Sequence, residues 1–330
     1  MQLFIMLIVI LIAAELFTNA LEHLGGKLGI SEGVTGSIFA AVGTALPETS
    51  VPLLALMTGT QSLQTNEEIG IGAILGAPLM LATLSTCLMA LFVWKSRTMH
   101  GHLLPERTGL IRDLNFFIAA FAFAAIALYI PHELSFVRYA IGIGMTLIYL
   151  AYVLITIRAS KGLVEDGHVT EAEGVMLLCK IGLPNNMLLI LVQLTLGLVL
   201  LLLGAKGFIN GVQEASHIIG ISTLMLSLLI IPIATELPEK VNSILWIRKG
   251  KDTLAFGNIT GAMVFQGTLL PAIGIMLTSW QPRQEVVWGI VITLIAAIWL
   301  RYLMAKDGIQ VWHLMVNGAL YITYLIIAFL

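Results

Sequence analysis

Residues 43–49 (GTALPET) and residues 234–240 (ATELPEK) are two versions of one motif, and each lies within a long apolar stretch. Each version places a proline and a glutamate where hydrocarbon would surround them. A charged side chain at the centre of a bilayer costs about 2.5–3.5 kcal/mol on insertion scales. Because the chain carries this cost twice in the same pattern, we predict that Glu48 and Glu239 form a paired site inside the membrane.

The composition of the chain indicates the class of protein. Of the 330 residues, 58% are hydrophobic and 11% are charged, whereas a soluble domain has about 25% charged residues. The length allows about ten spans of about 20 residues each. We therefore predict an all-α polytopic membrane protein with ten transmembrane helices and no sizeable soluble domain. The spans are expected at residues 2–23, 32–57, 68–94, 115–131, 137–157, 188–209, 218–246, 253–278, 285–304 and 310–329.

Basic residues predict how the chain is oriented. They are concentrated in the links that follow the odd-numbered spans, whereas only Arg138, Lys206 and Arg283 lie near the other side. By the positive-inside rule, the basic links are cytoplasmic. We therefore expect both termini to be extracytoplasmic, and the compact chain suits a prokaryotic inner membrane. The basic residues of the cytoplasmic links are Lys27, Lys95, Arg97, Arg107, Arg112, Arg158, Lys161, Lys180, Arg248, Lys249, Lys251, Arg301 and Lys306.

An internal repeat relates the two halves of the chain. Residues 14–31 align with residues 205–222, and the same offset places Glu48 on Glu239. After a shorter link in the second half, residues 72–77 (GAILGA) align with residues 257–262 (GNITGA). We predict a first five-helix repeat at 1–157, a cytoplasmic connector at 158–187 and a second five-helix repeat at 188–330. Five is odd, so the second repeat is inverted and the two motifs run antiparallel toward the middle of the membrane. Secondary transporters use this arrangement, with interrupted helices at the interface between repeats.

The residues of the motif suit a cation. Proline lacks an amide proton and clashes with the carbonyl four residues earlier, which interrupts a helix and frees carbonyl oxygens. Thr44 and Thr235 lie four residues before Glu48 and Glu239, on the same helix face. Carboxylate, hydroxyl and carbonyl oxygens are hard ligands for Ca²⁺ or Na⁺. One such motif is also typical of a simple helix kink with a glutamate at the end of a span, but the inverted pair favours an ion site.

Three further residues are candidates for the same site. Glu236 adds a carboxylate to the second motif, and Gln266 either reaches the site as a neutral ligand or forms an ordinary interhelical hydrogen bond. Lys240 has two interpretations. In one it is buried and modulates the site, partly neutralising it or taking the place of a monovalent cation. In the other it snorkels or pairs with Glu236 away from the ion path.

The two motifs and residues 257–262 (GNITGA) resemble the G-T-S-x-P-E and G-N-x-x-G-S signatures of the cation/Ca²⁺ exchanger superfamily, typified by sodium/calcium exchangers. The resemblance covers both repeats and implies alternating access driven by an ion gradient. It also implies that spans one and six slide across a compact bundle that holds the ion site. Glu48 and Glu239 match the family's ion-binding glutamates, and Thr44 and Thr235 match the neighbouring threonines.

The chain departs from this family pattern at several ligand positions. Ala45 and Glu236 replace the signature serines, and Leu81 and Gln266 stand where the family places asparagine or aspartate ligands. The first half therefore lacks the polar ligands of its third span, while the second half gains a carboxylate and a lysine. With fewer oxygen ligands, a stoichiometry of several Na⁺ per Ca²⁺ is not expected.

These observations lead to one expected function and three alternatives. We expect a secondary cation antiporter, most simply of Ca²⁺ against Na⁺ or H⁺, with inorganic cations and the bilayer as its partners. The alternatives are an exchanger of another cation coupled to H⁺ or Na⁺, a transport-inactive relative and an intramembrane enzyme. An enzyme is not expected, because the chain has no HExxH motif, no aspartate pair within spans and no serine nucleophile with a histidine partner. We expect no cofactor and no nucleic acid, and the sequence predicts no particular oligomeric state.

Overall fold

The computed structural model describes residues 2–27, 41–57, 63–164, 175–306 and 308–329, and these residues are almost entirely helical. Residues 165–174 of the expected connector lie outside the described part. The helices are α1 (Gln2–Lys27), α2 (Ala41–Met57), α3 (Leu63–Met80), α4 (Thr86–Arg97), α5 (Arg107–Ala127), α6 (Ser135–Val164), α7 (Met187–Ile219), α8 (Thr223–Thr235), α9 (Leu237–Arg248), α10 (Asp252–Leu277), α11 (Gln284–Ala305) and α12 (Val311–Phe329). A π-helical segment, Leu81–Ser85, joins α3 to α4, and a 3₁₀ helix covers Leu177–Ile181. Two short strands, β1 (His102–Leu103) and β2 (Ile309–Gln310), pair in an antiparallel ladder.

Seven helices within the described residues are long and apolar enough to cross a bilayer. They are Gln64–Arg97, Arg107–Ala127, Ser135–Thr156, Met187–Ile219, Asp252–Leu277, Gln284–Ala305 and Val311–Phe329. The other three expected spans correspond to shorter apolar stretches, Gln2–Phe17, Glu48–Met57 and Thr223–Ile233. The helical membrane class is therefore confirmed, while the total of ten spans in two inverted repeats stays a prediction.

The chain divides into two compact units, and each unit takes segments from both sequence halves. The first unit comprises residues 1–58 and 153–220. Within it, α1 packs along α7 against a stripe of glycines spaced seven residues apart. A Cβ atom at Gly197 would lie 2.8 Å from the backbone nitrogen of Phe17, and one at Gly211 would lie 2.9 Å from the Cα of Leu3. Small residues at one face let two membrane helices approach closely.

The second unit comprises residues 59–152 and 221–330. In this unit α3 packs against α8, because Gly72 and Gly76 bring the two backbones together. A Cβ atom at Gly72 would lie 2.5 Å from the Cβ of Ser227, and one at Gly76 would collide with the carbonyl oxygen of Leu228. Helix α10 packs on α3, α5 and α9. This packing surrounds the break between α8 and α9 with helices on several sides.

Charged side chains tie the loops of the second unit to its helix ends. Asp252 accepts a hydrogen bond from Arg97 at 2.7 Å and another from the Leu104 amide at 2.8 Å. At the opposite end of α10, Arg138 donates to the carbonyl oxygens of Ile275 and Thr278. Both ends of α10 are therefore held by charge-assisted hydrogen bonds, which are stronger than neutral ones.

Candidate ion-binding site

The second motif lies at a break between two helices. Helix α8 ends at Thr235, α9 begins at Leu237, and Glu236 between them has φ −87° and ψ 6°. Pro238 occupies the first turn of α9, where its missing amide proton costs nothing, whereas the same proline would weaken a helix that continued from α8. The interruption expected at this motif is therefore present. Two helices, α8 and α9, cover the span expected at residues 218–246.

Two buried carboxylates meet at this break. Glu236 is 0% exposed and Glu239 is 3% exposed, and each offers a carboxylate oxygen within 4.8 Å of the other. Gln266 of α10 donates from Nε2 to Oε1 of Glu236 at 2.6 Å, while Oε2 of Glu236 has no hydrogen-bond partner among the described residues. Two buried charges of the same sign are costly unless a cation or a proton accompanies them. The pair therefore has the chemistry of a cation site.

Lys240 belongs to the same cluster. Its side chain is 6% exposed, and its Nζ donates to the carbonyl oxygen of Pro232 at 2.8 Å and to Sδ of Met80 at 3.0 Å. It attracts Glu236 electrostatically, whereas Glu239 repels Glu236. The snorkelling interpretation of Lys240 is wrong, because the ammonium points into the unit and contacts buried atoms.

The two neutral candidates of the second half are both buried near the break. Gln266 forms an interhelical hydrogen bond with the Glu236 carboxylate, and its role as an ion ligand stays a prediction. The hydroxyl of Thr235 donates to the carbonyl oxygen of Ile231 at 3.1 Å, one turn back in α8. The hydroxyl proton of Thr235 is therefore engaged within its own helix, which leaves the oxygen of that hydroxyl as the possible ligand.

The first motif differs from the second. Helix α2 runs through residues 43–48 without a break, so the interruption expected at this copy is not found. A proline inside a helix bends it without necessarily ending it. Glu48 is buried, and the side chain of Thr44 lies outside the described residues. Glu48 belongs to the first unit and Glu239 to the second, and their pairing stays a prediction.

Asn258 is a positioning residue that sequence reasoning left without a role. Its Nδ2 donates to the backbone carbonyl of Glu239 at 3.0 Å and to the hydroxyl of Ser243 at 2.9 Å. It therefore fastens α9 to α10 beside the carboxylates. The sequence feature that could have indicated this role is the position of Asn258 within the repeated glycine segment at 257–262.

A buried carboxylate outside the motif was also missed. Asp113 of α5 accepts hydrogen bonds from the Thr260 hydroxyl at 2.8 Å and from the Tyr152 hydroxyl at 3.1 Å. The expected span at 115–131 begins after Asp113, whereas α5 begins at Arg107 and includes it. An acidic residue inside a span is a functional candidate by default, and only the misplaced boundary concealed it.

Comparison with known proteins gives one family and several relatives. The family model described as sodium/calcium exchanger protein matches residues 1–158 and 189–330. The inner membrane protein YrbG of Escherichia coli (strain K12) is 25% identical over 274 residues, which cover 82% of this chain and 78% of YrbG.

Two solved structures share the fold. The structure of the H⁺/Ca²⁺ exchanger CAX superimposes with a TM-score of 0.73 at 15% identity, over 99% of this chain and 83% of CAX. The sodium-calcium exchanger NCX_Mj gives a TM-score of 0.59 at 20% identity, over 98% of this chain and 97% of NCX_Mj. At these identities the structural likeness extends to the fold alone.

Proposed function

We propose that this chain, which belongs to the sodium/calcium exchanger family, exchanges Ca²⁺ for Na⁺ or H⁺ across the membrane. The membership expected from the motifs is confirmed by the family-model match, and it makes the chain an integral membrane protein of a cation-antiport family. The identity of the exchanged ions is our inference. It draws on the chemistry of the site and on the ions named for CAX and NCX_Mj.

The observation that carries the proposal is the buried oxygen cluster at the break between α8 and α9. Glu236 and Glu239 supply carboxylate oxygens, and Gln266 adds an amide oxygen nearby. Carboxylate and amide oxygens are the ligands that Ca²⁺ prefers. The ends of interrupted helices are where secondary transporters place their ion sites.

The inverted repeat extends this site to the first half of the chain. We infer that Glu48 and Thr44 join Glu239 and Thr235 near the middle of a ten-span arrangement. Both termini are then extracytoplasmic, and the membrane is a prokaryotic inner membrane. The shared carboxylates hold either Ca²⁺ or the coupling ions, never both at once. Because one kind of ion must be released before the other can bind, this competition couples the two fluxes.

A second candidate is exchange of another cation against H⁺ or Na⁺. The observation in its favour is the loss of oxygen ligands from the first half, where Leu81 replaces the family's polar residue and the sulfur of the neighbouring Met80 contacts Lys240. Thioether sulfur is a poor ligand for hard ions such as Ca²⁺. A transport-inactive relative would carry the same replacements.

Ion flux into proteoliposomes tests the proposal. We expect an imposed Na⁺ or pH gradient to drive uptake of radioactive Ca²⁺. Glu48→Gln and Glu239→Gln should each reduce that uptake by about 100-fold, equivalent to about 2.8 kcal/mol. Glu214→Gln is the matched control, because Glu214 is an exposed glutamate of α7. Uptake of another cation in place of Ca²⁺ would select the second candidate, and no flux by folded protein would indicate the inactive relative.

A further inference from the structure

We propose that the Lys240 ammonium is a tethered cation that permanently fills a monovalent-cation position at the break between α8 and α9. The consequence for transport rests on the proposed function: the exchanger moves one fewer monovalent ion per cycle than it would with a neutral residue at this position. Whether the ammonium fills this position depends only on the structure of the second unit.

The location of the ammonium is the first argument. Lys240 stands in the first turn of α9, where the positive end of the helix dipole disfavours a cation. Its Nζ instead reaches back to the carbonyl oxygen of Pro232, in the last turn of α8. That turn is the negative end of α8. The C-terminal ends of half-helices and their unwound carbonyls are where broken-helix transporters coordinate Na⁺ or H⁺, so the ammonium occupies a position that suits a free ion.

The contact atoms are the second argument. An ammonium group has three protons to donate and needs acceptors rather than a complete oxygen shell. Lys240 donates to the carbonyl oxygen of Pro232 at 2.8 Å and to the Met80 thioether at 3.0 Å. Sulfur is a weak acceptor for N–H but a poor ligand for Na⁺. The thioether therefore favours the ammonium over Na⁺, while the carbonyl oxygen of Pro232 is open to Na⁺ when the lysine is replaced.

The charge balance between the two motif copies is the third argument. At the repeat offset, Glu236 corresponds to Ala45 and Lys240 corresponds to Thr49. The second copy has thus acquired one negative and one positive side chain, which sum to zero. Removing one member of a buried pair leaves a charge that must be compensated. We infer that the tethered ammonium balances the charge of Glu236, which can still offer an oxygen atom to the site, so that the charge of Glu239 remains for the transported ion.

Thermal unfolding of the purified, detergent-solubilised protein tests the occupancy without any transport. The probe is Na⁺, varied about 100-fold at constant ionic strength with choline as the replacement. We expect Na⁺ to raise the Tm of Lys240→Met by about 3 °C or more beyond its effect on the wild-type Tm, because an ion that binds only the folded state stabilises it and the variant has one more position for Na⁺. The Glu236→Gln/Lys240→Met double variant should lose this response, since it removes the charge that attracts the ion.

Lys206→Met is the matched control, because Lys206 is an exposed lysine of α7, and it should behave as the wild type does. If Lys240→Met does not fold, Lys240→Thr takes its place, since threonine is the residue of the first copy. A folded Lys240 variant whose Tm is no more sensitive to Na⁺ than the wild type would overturn the proposal. The same holds if the double variant keeps the response.

Transport gives a second, separable readout. If the wild type exchanges Ca²⁺, Lys240→Met should carry one additional monovalent ion per Ca²⁺, seen as a shifted reversal potential in proteoliposomes. An unshifted potential would overturn the inference while leaving the proposed function intact. A wild type that moves no Ca²⁺ would overturn the proposed function, and the Na⁺-dependent Tm of the variant would still decide the occupancy.

Discussion

Helices α3 and α10 correspond to each other in the sequence repeat and share the spacing of their glycines, but their helical structure differs after those glycines. Helix α3 gives way at Leu81 to a π-helical segment, whereas α10 continues as a regular helix through Gln266 at the equivalent position. Gly72 and Gly76 allow the backbone of α3 to contact α8 closely. In contrast, a Cβ atom at Gly257 of α10 would meet no described atom within 4 Å. The first-half helix therefore supports the broken helix by packing, and the second-half helix supplies the polar side chain.

This division of roles predicts that Gln266→Leu, which gives α10 the residue of the first half, has the largest effect of the variants compared below. The substitution removes the donor to Oε1 of Glu236 and leaves a buried carboxylate oxygen unpaired, a loss of about 2–3 kcal/mol of stability. Denaturant or thermal unfolding in detergent measures it. The control is Gln213→Leu, because the side-chain amide of Gln213 is buried with no hydrogen-bond partner among the described residues. Equal losses in both variants would mean that the contact with Glu236 contributes nothing specific.

The glycines give a second test of the same comparison. Gly72→Ala should destabilise the protein by about 2 kcal/mol, because the added methyl group would lie 2.5 Å from the Cβ of Ser227 and 2.9 Å from the Leu224 carbonyl oxygen. Gly257→Ala, at the equivalent position, should be neutral or stabilising, because alanine favours a helix over glycine. Unfolding midpoints of the two variants would decide. A larger loss at Gly257 would reverse the assignment of packing to the first half.

Sequence reasoning reached the membrane class, the family and the break at the second motif. Each of these depends on hydropathy, proline chemistry or the repeat, which are local or periodic properties of the chain. The contact between Lys240 and Met80 was beyond this reasoning, because it depends on which face of α9 turns toward α3. The unbroken course of α2 was also beyond it, since a proline permits either a bend or an end and the surrounding packing decides between them.

The starts of α5 and α11, the fourth spans of the two halves, allow a third and smaller test. The Glu106 side chain caps α5 by accepting hydrogen bonds from the amides of Thr108 and Gly109, whereas Arg283 precedes α11 without a side-chain cap. Glu106→Ala should therefore cost about 0.5–1 kcal/mol, at the low end for a cap because Glu106 is exposed. Arg283→Ala should cost less, since it removes no helix cap and loses only a partly exposed ion pair with Glu68.

The pH dependence of this cap distinguishes it from simple packing. Burial acts to raise the pKa of Glu106, but the hydrogen bonds from Gly109 and Thr108 and the charge of Arg112 together lower that pKa below its usual value. A carboxyl group whose pKa is lowered by folding stabilises the folded state above the pKa of its unfolded form, about 4.3. That stabilisation is lost as the pH falls through the lower, folded-state pKa. The difference in Tm between the wild type and Glu106→Ala should therefore be constant near neutral pH and shrink in acid. A difference that is unchanged in acid would show that the charge of Glu106 contributes nothing to the cap.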